Sequence, residues 1–179
     1  MRIGRLAAAL VCATLLVSAC GDDSLGSVGL YDRAPVPFVP DRTDAVPPSP
    51  GLLVDGYYWA ELAGPVGDDQ LRFEFTRAFF ATACEEEFGA DACVQGFAVD
   101  ASVSRMVDAS VSDLAIVSVA AESRQNYAIT AAELHRLVSG EAPADRAADT
   151  YAYHAYPFLI TVAAGVVMEA HQIWLAPPT

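Results

Sequence analysis

The chain has 179 residues, is 54% hydrophobic and carries a formal charge of −13, with 23 acidic residues against ten Arg and no Lys. An acidic balance of this size excludes recognition of nucleic acid through its phosphates. The apolar content excludes a wholly disordered chain, although Ala inflates it.

Met1 to Arg5 is a short basic start, and Leu6 to Ala19 follows without a charge. An apolar run of that length suits the core of a secretory signal and is short for a membrane span. Val17-Ser18-Ala19-Cys20 closes the run and Gly21-Asp22-Asp23 follows. This stretch resembles the lipobox of bacterial lipoproteins, with Val17 standing where Leu is commoner. The resemblance implies a signal peptide over 1–19, cleavage before Cys20, and a diacylglyceryl group on the Cys20 thiol. It further implies residence on the extracytoplasmic face of the cell membrane through that lipid. The alternative is an ordinary signal peptide with an incidental Cys.

With Arg2 and Arg5 removed, eight Arg face 23 acids and the mature charge is −15. An anionic bilayer repels such a chain, so membrane residence falls to the lipid. Cys12 leaves with the signal and Cys20 is acylated. Cys84 and Cys93 are left as an even pair in an exported chain, which predicts a disulfide. No CxxC and no neighbouring His favours a metal there, so no metal or other cofactor is expected.

Six of the eleven Pro lie between Pro35 and Pro50. Residues 20–51 therefore read as the lipidated Cys followed by a disordered, Pro-rich tether. Its reach is about 30 Å as a coil and at most about 95 Å as polyproline II. Val36-Pro37-Phe38-Val39 is the one apolar patch within it, either a docking motif or incidental hydrophobicity.

A single domain is expected over 52–179. Gly56 to Leu62 reads as a first strand, with turns at Gly64-Pro65 and Gly67 to Asp69. Leu71 to Phe75 alternates as a half-buried strand. From Arg77 to Phe88 the spacing of Phe80, Cys84 and Phe88 predicts a helix, capped by Gly89. Val103 to Val107 and Leu114 to Ala120 read as two strands joined through 108–113. Thr130-Ala131-Ala132-Glu133 is a capping box that opens a second helix, buried through Leu134, Leu137 and Val138. Pro157 to Ala163 and Val166 to Trp174 read as a hairpin. Ala164 disfavours a strict two-residue type I′ turn between them, so a longer turn is expected. The sum is an α+β fold: an antiparallel sheet of five or six strands with two helices on one face, or alternatively a small half-open barrel.

No catalytic signature is present. Glu85-Glu86-Glu87 is a dense acidic run, yet consecutive helical residues diverge by about 100° and do not converge on one cation. Glu169 and His171 share a strand face and, with His154, outline a candidate acid–base or zinc site. The bland reading is a surface ion pair and a loop His. Tyr57, Tyr58, Trp59, Tyr151, Tyr153, Tyr156 and Trp174 are either core or, if the first and last strands are neighbours, the lining of a groove. Tyr57, Trp59, His154, His171 and Trp174 are the candidate binding residues and none is assigned a catalytic role. The expected function is a lipoprotein presenting a non-enzymatic domain for an unidentified protein or small-molecule ligand. The alternatives are a carrier of lipid or another apolar molecule, and an acid–base or metal enzyme using His171 and Glu169.

Replacing Cys20 with Ser is expected to leave an uncleaved precursor or to release the protein into the medium. Membrane fractionation with immunoblotting checks this; unchanged processing and retention would contradict the lipid anchor.

Overall fold

The computed structural model describes residues 29–48 and 52–175. The signal segment, Cys20 and the first part of the tether lie outside the described residues. Six strands are β1 (Gly56–Val66), β2 (Gln70–Phe80), β3 (Phe97–Ala120), β4 (Asn126–Ile129), β5 (Phe158–Ala163) and β6 (Val166–Gln172). Helix α1 spans Ala81–Phe88 and α2 spans Ala131–Val138. The fold is α+β, as expected. Among the described residues no helix is long and apolar enough to cross a membrane.

The sheet runs β2-β1-β5-β6-β3-β4, and β2 also pairs with β3. Five strands thus close into a ring, with β4 added outside it on β3. All pairings are antiparallel except β3 with β6, which is parallel. Closure depends on the 24-residue β3. Its first half pairs with β2 down to Ser110; Val111 then pairs with Val167 of β6, and after an irregularity the β6 pairing resumes at Ile116. The expected break at 108–113 is therefore continuous strand. Asp108 faces Arg72 across the β2 pairing and accepts two guanidinium hydrogen bonds, at 2.6 and 2.8 Å.

Alternation fills the interior. Tyr58, Phe73, Phe75, Val107, Val117, Val119, Phe158, Ile160 and Val167 point inward and are buried. Leu134 and Leu137 of α2 join the same core. Helix α1 instead belongs to a second small cluster of Phe79, Cys84 and Cys93. The two helices thus pack in different places rather than together. Helix α1 also starts four residues later than the apolar spacing predicts, because Arg77 to Phe80 pair with Phe97 to Asp100 as strand. Cys84 and Cys93 are disulfide-bonded, with Cα atoms 6.0 Å apart, and tie α1 to the segment entering β3.

Two turns also depart from expectation. Gly64-Pro65 lies inside β1, where a bulge between Leu62 and Gly64 absorbs the irregularity. Ala163 pairs with Val166, so Ala164-Gly165 is a strict two-residue turn. Both residues have positive φ, 52° and 75°, which is the type I′ pattern despite the Cβ of Ala164.

The largest difference lies in the Pro-rich segment. Residues 31–34 add to the free edge of β4: Tyr31 and Ala34 amides donate to Ala128 and Asn126 carbonyls, and the Ala128 amide returns a bond to Asp32. Farther along, the Thr43 amide donates to the Ala78 carbonyl, the Ala78 amide to Thr43 Oγ1, and the Asp44 amide to the Tyr57 carbonyl. The segment is a strap laid across the barrel and held at both ends. Edge protection is one consequence, since β4 would otherwise expose unpaired amides.

The strap is locked by Glu133. This α2 carboxylate is buried and accepts from the Tyr31 hydroxyl at 2.7 Å, the Ala144 amide at 2.8 Å and Arg136 at 2.8 Å. Thr130 does cap α2, with Oγ1 accepting from the Glu133 amide. The Glu133 side chain does not close the capping box and turns to the strap instead. Tyr31 sits at φ 64°, a conformation costly for a bulky residue and retained only where the surroundings over-determine it.

Tyr31→Phe keeps the ring and removes one of the hydrogen bonds to a buried charge. The expected loss is about 1–3 kcal/mol of unfolding free energy, measured by chemical denaturation of the domain with its strap; an unchanged midpoint would contradict the lock.

Candidate functional site

Outward-facing side chains of β1, β5, β6 and β3 fall into rows set by register. One row is Trp59, Leu159, His171 and Ser118; the next is Tyr57, Thr161, Glu169 and Ile116. The first row is buried and polar at one end, and the second is open to solvent at both ends.

Ser118 lies opposite His171 in the parallel pairing, with Oγ 2.9 Å from Nδ1. The Asn126 amide of β4 donates to Ser118 Oγ at 3.2 Å and to the Gln172 carbonyl at 2.9 Å. The tautomer of neutral His171 decides whether Ser118 Oγ or Nδ1 donates in this bond. Nε2 faces Glu169 Oε2 at 3.8 Å, beyond hydrogen-bond range, while that oxygen accepts from Thr161 at 3.0 Å. Burial pulls the His171 pKa below its ordinary value and Glu169 partly opposes this.

A hydroxyl, an imidazole and a carboxylate in sequence are the parts of a nucleophilic triad. Here Ser118 is 1% exposed and lies under Asn126, so its Oγ is not offered to a substrate. The array instead joins β3, β4, β5 and β6 across the ring's one parallel seam. Gln172, fully buried on the opposite face of β6, extends the same seam. Its Oε1 accepts from the Ala120 amide at 2.9 Å, and its Nε2 donates to the His154 and Tyr156 carbonyls.

The remaining candidates disperse. His154 lies in the loop before β5, with Nε2 3.5 Å from Glu122, and shares an open cavity of about 340 Å³ with Tyr127 and Tyr151. It is not brought to His171; only its backbone reaches β6, through Gln172. Trp59 is buried against Phe80 and Phe97. Trp174 carries the Arg124 guanidinium 4.4 Å above its ring and lines a shallow groove of about 230 Å³ with Val39, Phe80, Phe97, Ile173 and Leu175. Tyr58 and Tyr151 are core, and Tyr153 packs against that core. Burial pushes the Tyr153 hydroxyl up to about 12. Of Tyr57, Tyr58 and Trp59, Tyr57 alone is exposed, at 45%. Strand β5 separates β1 from β6, so the first and last strands are not neighbours.

Among the described residues no group of three or more His, Cys, Asp or Glu is placed to hold a metal ion. Glu85, Glu86 and Glu87 are exposed on α1. Sequence reasoning missed Ser118, Asn126 and Gln172, which become visible only once register shows that each is a polar residue among buried neighbours. It placed Glu133 in a capping box and missed its bonds to Tyr31 and Ala144. Comparison of the chain with protein-family models, curated proteins and solved structures finds no match.

A His with a depressed folded-state pKa binds its proton more readily in the unfolded chain. Its contribution is therefore present above the unfolded value of about 6.5 and is lost as pH falls below it. Unfolding free energy is expected to decline on acidification from pH 7 to 5, and His171→Gln to flatten that decline. Denaturation curves across the range check this; equal slopes in both proteins would contradict a buried neutral His171.

Proposed function

We propose that the protein is a lipoprotein anchored through Cys20 on the extracytoplasmic face of the cell membrane, and that its barrel binds a protein partner on its outside. One observation carries the second part. The row Tyr57, Thr161, Glu169 and Ile116 ends at both sides in exposed apolar side chains, and Leu114 extends it along β3. Ile116 and Leu114 are 62% and 86% exposed on β3, where Ile116 pairs with Glu169 and Leu114 lies in the irregular stretch between Val111 and Ile116. Apolar groups held rigidly in solvent around a few polar ones are the composition of a recognition patch. Glu169 at its centre favours a basic group on the partner.

The cluster of inward side chains, Tyr58, Phe73, Phe75, Phe158 and Ile160 among them, weighs against the carrier reading, because it takes up space a lipid would need. The sealed Ser118 weighs against hydrolytic chemistry at His171. Binding on the outer face asks nothing further of the fold.

A photo-cross-linkable residue at Ile116 or Leu114 in the producing cell is expected to give a discrete protein adduct that the same residue at exposed Asp149 does not give. Tyr57→Ala is expected to weaken the adduct. Equal labelling from all three positions would contradict a partner on this face.

A further inference from the structure

The strap presents the one apolar motif of the Pro-rich segment outward. Ala34 is bonded to β4, while Thr43 and Asp41, whose carbonyl accepts from the Phe80 amide, are bonded to β2, so residues 35–40 form a loop held at both ends. Pro35, Pro37 and Pro40 stiffen it. At its crest Val36 and Phe38 are 87% and 75% exposed. A Phe placed this openly on a restrained loop gains nothing from the fold. Arg33 and Arg42 flank the crest and are exposed, whereas the neighbouring Asp32 carboxylate is occupied by the Gly29 amide at 2.7 Å.

Chain length limits what the loop can meet. Docking of the strap leaves eight residues between Cys20 and Gly29, nine Cα–Cα steps. Fully extended they span at most about 30 Å, and as a coil about 17 Å. The domain therefore cannot be lifted away from an anchor at Cys20 by the 30-residue spacer that composition suggests. The strap is the part of the domain nearest that anchor in the chain. Arg33 and Arg42 offset Asp32 and Asp41 beside them, so the two apolar side chains sit on a locally near-neutral patch of a chain of net charge −15. That pattern suits a bilayer interface, where apolar groups enter the acyl boundary and Arg heads stay at the phosphates.

We infer that Val36 and Phe38 are a second membrane contact, seated in the interface of the bilayer that holds the Cys20 lipid. The inference rests on the lipoprotein reading. Its consequence is orientation: lipid and crest together fix which side of the barrel faces the membrane, where a lipid alone would leave the domain free to tumble.

The test uses the full lipidated protein reconstituted in phosphatidylcholine vesicles. Phe38→Cys, Val36→Cys and Val94→Cys each introduce a single free thiol, because Cys84 and Cys93 are bonded and Cys20 is acylated. Each is labelled with a nitroxide. Probes at 36 and 38 are expected to lose accessibility to a water-soluble nickel chelate and to gain accessibility to oxygen. The probe at Val94, exposed on the disulfide loop, is expected to stay accessible to nickel. Equal nickel accessibility at all three positions in protein that floats with the vesicles overturns the crest contact and leaves the anchor standing. An N-terminal peptide whose mass lacks the lipid overturns both.

Discussion

The structure depends on one strand changing partner. β3 leaves β2 near Ser110 and takes up β6 from Val111, and that switch converts a meander into a closed ring. Closure removes two sheet edges and turns one face of five strands into a common interior. It also sets a parallel pairing beside antiparallel ones. At that seam the outward residues are polar and bonded to one another: His171 to Ser118, Ser118 to Asn126, Asn126 to the Gln172 backbone. Buried groups that are fully partnered specify register as well as adding stability. A slip of one residue on β6 would place His171 in the core and Ala170 outside.

Addition of β4 to β3 leaves a new edge, and the strap covers it. The cover is held by Glu133, whose carboxylate gathers the strap, α2 and the loop after α2 at one point. Removing a partner from such a charge is costly because the charge stays buried. A segment that composition assigns to a flexible spacer is thereby part of the domain. Pro-rich composition excludes helix and interior strand, but it does not exclude edge addition. Tyr31, Ala34, Thr43 and Asp44 supply the amides there, and none of them is Pro.

Much of the architecture was legible from periodicity. The alternation at Leu71 to Phe75, the Thr130 cap and the final hairpin all appear where spacing put them, and the Cys84–Cys93 pairing followed from counting. What was not legible is mostly non-local. The β3 partner switch leaves no mark in Asp108 to Asp113, since Asp and Ser on an outward strand face read like a turn. Phe80, Cys84 and Phe88 satisfied a helical period although Phe80 ends a strand, because β2 runs directly into α1. His171 and Glu169 were correctly placed on one strand face, but Ser118, the closer partner of His171, is 53 residues away. The Val36 to Val39 patch was visible in sequence; its rigid presentation was not, because that comes from bonds to β4 and β2.

The account turns on whether the strap is part of the folded domain, since the short reach to Cys20 and the fixed crest both follow from it. Amide hydrogen exchange measures this residue by residue. Tyr31, Ala34 and Thr43 are predicted to exchange slowly, together with the Ala128 and Ala78 amides, which donate back to the Asp32 carbonyl and Thr43 Oγ1. Exchange of those three amides at the rate of an unfolded chain, with β2 and β4 still protected, would contradict it.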